Sequence, residues 1–545
     1  MRLLTAWLCL FGPLMLASAA PKKQTKQKQR PHIVVIMADD LGWSDVSFHQ
    51  TPQIPTPNID ALASDGIILH NHYVQPMCTP SRAAFLTGLY PIRTGMQHYV
   101  IRSAEPWGLP LNVKIMPQFF KELGYNTHAI GKWHLGNHME AYAPTRRGFD
   151  TFMGYHLGYG DYYKHVLQLG QEIGSDFFEG VQPILNATGL YSTDLFTERA
   201  VSIIDKHDKS KPMFMYLCHM APHSGNEVDP LQAPQEYIDK FQYIENKNRS
   251  TYAAMLNKLD ESVGIIMEAL HRNDMLNNTI LLFLSDNGGK PWGKQSNYAF
   301  NWPLRGMKEM LWEGGVRSSS FLWSPLLEQT PRISNQMMHV TDWLPTLYGA
   351  AGGSRRSLGR QDGFMMWRQL SRKLISPRIE ILLNYDNIDK TSSLRFSRYK
   401  LLKGHSWYGP KDEWYNVPGQ CVDGCGANLD ALMVNSTVAN VLRKFYNRNQ
   451  LRFQQNWRKK LVINCKYEKP FFNSLKGPFL FDLEDDPCEM QDISSSRKRL
   501  LRILSERLAN YERQAVPPRN APRDPKAFPS NNNGSWSFWM DQLST

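Results

Sequence analysis

The sequence predicts an α/β fold: a large mixed, mostly parallel sheet flanked by helices, with a smaller C-terminal α+β domain. Three continuous apolar runs carry that expectation: His32–Ala38 (HIVVIMA), 212–217 (PMFMYL) and 279–284 (TILLFL). None alternates with polar residues, so each reads as a strand buried on both faces, as in a parallel sheet covered by helices. A shorter run at 127–130 fits the same series. Helical periodicity lies between these runs, at 117–123 and 252–270, which gives the strand-helix alternation of an α/β domain.

Each run ends in polar residues. Asp39-Asp40 follow the first, Gly131-Lys132-Trp133-His134 the second, and Cys218 to His223 the third. Ser285-Asp286-Asn287 follow the fourth. Ligands of such sheets bind beyond the carboxyl ends of the strands, so these clusters are where function is expected.

The remaining elements are taken in chain order. Arg2 precedes an apolar run that ends in Ala17-Ser18-Ala19-Ala20, so residues 1–20 read as a signal peptide. Residues 21–31 form a basic, flexible stub and 32–370 the main domain. The texture changes after 370: residues 394–402 and 478–483 read as short strands and 496–515 as an amphipathic helix. These place the smaller domain at 375–515, followed by an extended strap at 516–545.

The chain has 545 residues, 42% hydrophobic and 21% charged, which excludes global disorder. No later stretch is apolar enough to span a membrane. Five Asn-x-Ser/Thr sequons, at Asn186, Asn248, Asn277, Asn435 and Asn533, suit a protein of the secretory pathway, lysosomal or secreted. The formal net charge is +12; Arg2 and the five cations within 22–30 account for half of it, leaving a mildly basic body. That favours anionic ligands, and the compartment argues against nucleic acid. Of seven cysteines, Cys9 leaves with the signal. Cys421, Cys425, Cys465 and Cys488 can pair in three ways, while Cys78 and Cys218 stand apart.

The most informative stretch is Cys78-Thr79-Pro80-Ser81-Arg82-Ala83-Ala84-Phe85-Leu86-Thr87-Gly88. Pro80 suits a first helical turn, and a helix N-terminus turns free N–H groups and positive dipole towards an anion beside Cys78. Arg82 adds a planar donor fork suited to sulfate or phosphate. Asp39, Asp40, Asp286 and Asn287 offer four oxygen ligands from two strand ends, a set for calcium or magnesium rather than zinc. Either pair alone would equally cap a strand end. Lys132, His134, His223 and Lys308 are unremarkable one by one; Lys132 and His134 alternate, so on a strand end they would share a face.

The eleven-residue stretch resembles the sulfatase signature Cys-x-Pro-Ser-Arg-x-x-x-Leu-Thr-Gly. Gly131-Lys132-Trp133-His134-Leu135-Gly136 resembles a second signature block. Pro144 to Asp150, Asn301 to Gly306 and Leu311 to Arg317 look like the arylsulfatase B group, which includes N-acetylgalactosamine-4-sulfatases and arylsulfatases I and J. The resemblance runs along almost the whole mature chain and implies an alkaline-phosphatase-like fold. It implies that Cys78 is oxidised to formylglycine by the formylglycine-generating enzyme of the endoplasmic reticulum. It also implies one calcium ion on Asp39, Asp40, Asp286, Asn287 and the modified residue 78. Arg82, Lys132, His134, His223 and Lys308 become catalytic residues, and Lys132, His223 and Lys308 also bind substrate. His219 competes with His223; the resemblance favours His223.

The implied reaction is covalent sulfate transfer. One hydroxyl of the hydrated aldehyde attacks sulfur and the alcohol leaves; the second hydroxyl then loses its proton and expels sulfate, restoring the aldehyde. The substrate is a sulfated sugar or an aryl sulfate. Two other readings stand beside it: a phosphate or phosphonate ester hydrolase on the same fold, and a catalytically silent lumenal glycan-binding protein. The complete set of pocket residues argues against the silent protein. The chain also departs from its relatives. They carry cysteines in loops that here read Ser103-Ala104-Glu105-Pro106-Trp107 and Glu140-Ala141-Tyr142-Ala143, and Arg523 stands where they have a further cysteine. Packing or other bridges are expected to substitute. With Cys78 modified and the late four paired, Cys218 is expected to be a buried thiol. Loops 158–190 and 290–300 differ enough that substrate specificity does not carry over.

Overall fold

His32–Ala38 forms strand β1, buried along its whole length. Its side chains divide between two cores. Val34, Ile36 and Ala38 join one cluster, and Ile33, Val35 and Met37 the other. Both faces of the strand are dry, which is why its sequence does not alternate. The computed structural model describes residues 29–49, 53–404, 412–417, 427–453, 456–468, 470 and 477–541. The expected signal peptide, most of the basic stub, and Cys421 and Cys425 lie outside the described residues.

Nine further strands complete the large sheet: β2 (Ile67–Leu69), β3 (Asn126–Gly131), β4 (Thr151–Gly154), β5 (Phe178–Glu179), β6 (Gln182–Pro183), β7 (Met213–Cys218), β8 (Thr279–Ser285), β9 (Ser320–Trp323) and β10 (Arg332–Ser334). Their order across the sheet is β10-β2-β9-β8-β1-β7-β3-β4-β5-β6. The five central strands β8, β1, β7, β3 and β4 are parallel to one another, and antiparallel pairs flank them. One face is covered by α1 (Pro57–Asp65), together with the helices Ser192–Asp205 and Lys247–Arg272. The other is covered by α2 (Cys78–Thr87) and the helices Met116–Glu122 and Trp343–Ala350. Helix Lys247–Arg272 begins earlier than its apolar periodicity, because the Asn246 side chain accepts from Arg249 N–H and caps it.

A separate antiparallel sheet follows, in the order β11 (Glu380–Asp386), β12 (Thr391–Phe396), β13 (Tyr399–Lys403) and β14 (Phe479–Asp482). Residues 394–402, expected as one strand, are a hairpin. Phe396 pairs with Tyr399 across a turn in which Ser397 takes φ +52°. The turn lacks the Asn-Gly or Asp-Gly pair that marks such hairpins, so its sequence is silent. One face of this sheet meets the helix Lys498–Glu512 through Leu382, Leu394, Leu401, Leu504 and Leu508. Ile381, Leu383 and Phe481 on the other face pack against Met307, Met310 and Trp312.

The interval 375–515 does not pack as one unit. Val438, Ala439, Val441 and Leu442, on the helix Thr437–Tyr446, join the core around helices α1 and Lys247–Arg272. Cys465 and Cys488 form a disulfide, and Cys218 is a buried free thiol. The end of the chain runs back over the large domain. Val516 N–H donates to Ile92, Arg519 to Gly95, Asp524 to Ala104 and Met540 to His138. Ala104, Leu157, Leu167, Ala527, Trp536 and Trp539 form the core beneath it. Hydrogen bonds and tryptophan packing therefore hold this end of the chain against the loops beneath it. Among the described residues no helix is long and apolar enough to cross a membrane.

Candidate active site

The parallel register brings four strand ends to one edge. Ala38 pairs with Ser285, Met37 with Cys218, and Cys218 with Gly131. Residues 39–40, 286–287, 219–223 and 132–134 therefore leave the sheet side by side. Gly131, at φ +92°, lies so close to β7 that a Cβ there would sit 1.9 Å from the Cys218 carbonyl oxygen. Only glycine permits that approach. It lets Lys132 N–H reach the same carbonyl at 2.8 Å.

Helix α2 starts at Cys78 and ends in the left-handed cap Gly88. Its N-terminus is pinned by Thr79, whose hydroxyl donates to the His134 carbonyl (3.1 Å) and accepts from Ile101 N–H (3.3 Å). The Cys78 thiol points at Asp39 Oδ1, 3.3 Å away, with Asp40 Oδ1 at 3.9 Å.

Around it every carboxylate meets a cation. Lys132 Nζ is 2.5 Å from Asp39 Oδ2. Arg82 donates to Asp286 Oδ2 through Nε (3.1 Å) and Nη2 (2.8 Å), and through Nη1 to the Lys132 carbonyl (3.0 Å). Lys308 Nζ lies 2.7 Å from Asp40 Oδ2 and 3.1 Å from His223 Nε2. Asn287 Nδ2 donates to Asp40 Oδ1 at 2.6 Å. All these side chains are buried. Asp39, Asp40, Cys78 and His223 each offer a ligand atom, all within 4.8 Å of one another. Asp40 and His134 hold left-handed backbone, at φ +58° and +61°. Such backbone clusters at sites where surrounding structure dictates geometry.

The electrostatics follow from burial and this pairing. Burial opposes the Asp40 carboxylate, but Lys308, His223 and Lys132 outweigh it and hold its pKa below the usual range. Burial and Asp39 push Asp286 up to about 6 despite Arg82. Burial, then Asp286 and Asp39, drive the Cys78 thiol well up, so it stays protonated. Burial and Lys308 push His223 down to about 3.

All the expected site residues converge here, but not all as the sequence implied. β3 ends at Gly131, so strand alternation does not align Lys132 with His134. His134 Nε2 instead lies 2.8 Å from the Ile101 carbonyl, an acceptor, which selects the Nε2–H tautomer and leaves Nδ1 buried and unbonded. His219 turns away from the site, with Nε2 3.1 Å from Ser262 Oγ. His223 is the histidine that faces Asp40 and Lys308.

The site floors a cleft of about 660 Å³. Its walls include Tyr159, Gln168 and Lys290 from the loops at 158–190 and 290–300, and Arg102 and Arg523 from two further segments. The sequence carried no local signal for these wall residues, since only the fold brings them together.

Residues 31–354 match the Sulfatase family. The chain belongs to the sulfatase family. It is a sulfuric ester hydrolase. Mouse (Mus musculus) arylsulfatase J is 38% identical over 542 residues, covering 96% of this chain and 82% of that protein. Mouse N-acetylgalactosamine-6-sulfatase is 30% identical over 354 residues, covering 62% and 64%. The crystal structure of Ps i-CgsB in complex with k-i-k-neocarrahexaose is 28% identical, with a TM-score of 0.70, covering 90% of this chain and 94% of that one.

Proposed function

We propose that this sulfatase cleaves sulfate esters of sugars through a formylglycine made from Cys78 and a single calcium ion. The observation that carries the reading is the buried convergence of Cys78, at a helix N-terminus, with Asp39, Asp40, Asp286 and Asn287 and with the basic side chains of Arg82, Lys132, His134, His223 and Lys308.

The cradle fits a hard cation. Its donors are carboxylate and amide oxygens. Asn287 Oδ1 is buried without a hydrogen-bond partner among the described residues. Asp39, Asp40 and Asp286 balance Arg82, Lys132 and Lys308 in formal charge. A divalent ion would leave the site positive by two charges, matching a released sulfate dianion. Asp39, Asp40, Asp286, Asn287 and residue 78 would hold it. The ion and the formylglycine together supply electron withdrawal from a sulfate oxygen and a hydrated aldehyde oxygen as nucleophile.

The chain's own residues do the rest. Arg82 and Lys132, each fixed on an aspartate, stabilise negative charge beside residue 78. His134 has its free Nδ1 lone pair to take a proton. His223 donates from Nδ1 to the Ser224 carbonyl at 2.6 Å, so its Nε2 accepts from Lys308. Burial opposes the Lys308 charge, but Asp40 and Asp39 outweigh it and keep the ammonium charged. Lys308 thus binds sulfate through its remaining N–H, and the proton that His223 Nε2 accepts from Lys308 passes to the leaving alcohol.

A relative named for N-acetylgalactosamine and a similar structure holding a neocarrahexaose support a sulfated sugar as substrate. All five sequon asparagines are exposed, which supports glycosylation and passage through the secretory pathway, to the lysosome or outside. The formylglycine-generating enzyme of the endoplasmic reticulum is the partner this reading requires.

Peptide mass spectrometry across residue 78 of secreted protein, paired with turnover of 4-nitrophenyl sulfate, tests it. The aldehyde or its hydrate is expected, and Cys78→Ala should reduce turnover to background. An intact thiol in active protein, or full turnover by that variant, overturns the reading. A chelator should lower both turnover and melting temperature, and calcium should restore them better than magnesium. Equal rescue by magnesium would overturn the calcium assignment alone. Faster turnover of 4-nitrophenyl phosphate would favour the phosphate ester reading.

A further inference from the structure

Five cations line the cleft: Arg102, Lys290, Lys294, Lys308 and Arg523. Each lysine has a carboxylate. Lys290 pairs with Glu309 at 2.6 Å, Lys294 with Glu227 at 2.8 Å and Lys308 with Asp40 at 2.7 Å. Neither arginine pairs with a carboxylate among the described residues, and both are exposed to solvent. They are the cleft's two uncompensated charges.

Both arginines project from fixed backbone. Buried Glu105 accepts from Arg102 N–H (2.9 Å) and from the Trp107 indole (2.8 Å), which folds residues 102–107 into a closed loop. The Arg102 guanidinium rests over the Tyr99 ring, 4.5 Å from its centroid. Next to Arg523, Asp524 donates its N–H to the Ala104 carbonyl at 2.8 Å. Its carboxylate accepts from the Trp539 indole at 3.1 Å. The C-terminal strap is thereby bonded to the Arg102 loop, and the two arginines stand on adjoining segments of one rim. Tyr159 completes the wall, its ring nearly parallel to that of His223, with 6.5 Å between centroids.

We infer that Arg102 and Arg523 form a second anion subsite at the mouth of the cleft. It takes a sulfate or uronate carboxylate on the sugar next to the one that carries the scissile ester. The inference rests on the sulfatase reading above and narrows its substrate class. The preferred substrate is a polyanionic oligosaccharide, bound by two anionic groups, rather than a small aryl sulfate. Guanidinium forks match both oxyanions. Prior fixation of the two loops lowers the ordering cost of binding.

The test is competition by a sulfated, uronate-containing tetrasaccharide against 4-nitrophenyl sulfate turnover. The readout is the ratio of its inhibition constant to the KM of the aryl sulfate. In the Arg102→Gln, Arg523→Gln double variant this ratio should rise about tenfold. Arg523→Lys should retain part of the affinity that Arg523→Gln loses. Salt should weaken inhibition of the wild type more than that of the double variant. Tetrasaccharides with reduced carboxyl groups, or without the neighbouring sulfate, identify which anion the subsite holds. An unchanged melting temperature shows that the double variant is folded. A ratio within about twofold of wild type in that folded variant, or a wild type that the tetrasaccharide does not inhibit, overturns the subsite. A wild type that fails to turn over 4-nitrophenyl sulfate would count against the proposed function instead.

Discussion

Asp39 sits between the Cys78 thiol and the Lys132 ammonium with no solvent around it. A buried carboxylate is tolerated only with such a partner, and the partner's shape matters. Lys132 brings a point charge to Asp39. Arg82 brings a fork that spans Asp286 and the Lys132 carbonyl together, so the substitution Arg82→Lys would give up part of that span. Lys132→Ala leaves Asp39 without its nearest cation. The loss of a buried partner costs about 3–5 kcal/mol of folding stability. It should also reduce kcat/KM for 4-nitrophenyl sulfate by about 100-fold or more. Denaturant unfolding and steady-state kinetics check the two effects. Wild-type turnover in a destabilised variant would reduce Lys132 to an ion-pair partner.

Among the elements, helix α2 and the parallel strand ends were legible because their residues do two jobs. Strands β1, β7 and β8 are apolar on both faces, and the polar residues that follow each one mark its end. The hairpin at Ser397 was not legible, since its turn residues carry no turn chemistry of their own. Nor was the junction of β11 with the segment before the Arg102 loop. There His98 Nδ1 meets Asp386 Oδ2 at 2.7 Å, with Asp389 Oδ2 at 4.0 Å. The Asp386 hydrogen bond raises the His98 pKa, against burial; Asp386 and Asp389 add to the rise, and Arg102 opposes it. The sign follows. A histidine with a raised folded-state pKa contributes stability that is fully present below its ordinary value of about 6.5. That contribution is lost as the pH climbs through the raised value. Melting temperatures of wild type and His98→Gln should therefore differ more at about pH 5.5 than at about pH 8.5, with the wild type higher in acid. A gap that does not change with pH would remove His98 from this role.

At the scale of the whole molecule the two sheets are locked through a buried ion cluster. Lys400 on β13 reaches Glu313 Oε1 at 3.0 Å and Glu489 Oε1 at 2.7 Å, all fully buried, while Tyr73 donates to Glu313 Oε2 at 2.6 Å. The cluster adjoins Met307, Met310 and Trp312, which flank Lys308 in the chain, and Lys308 in turn reaches Asp40. Lys400→Ala should cost about 3–5 kcal/mol by leaving buried Glu489 without its cation and Glu313 with Arg317 alone, at 3.7 Å. Calorimetry should show a lower melting temperature, and turnover should fall because the Lys308 loop loosens. Stability equal to wild type would show that apolar packing alone joins the sheets.

Much of this protein is written locally. Period and polarity along the chain determined the parallel core, the helix that opens at Cys78, and the residues gathered at the strand ends, because burial on both faces leaves a continuous apolar record. Tertiary structure alone decided how Thr437–Tyr446 joins the large core and that Arg102 and Arg523 share one rim. Those outcomes depend on contacts between segments distant in sequence. No local pattern encodes them, since an exposed arginine has the same sequence signature whether it faces a substrate or only water.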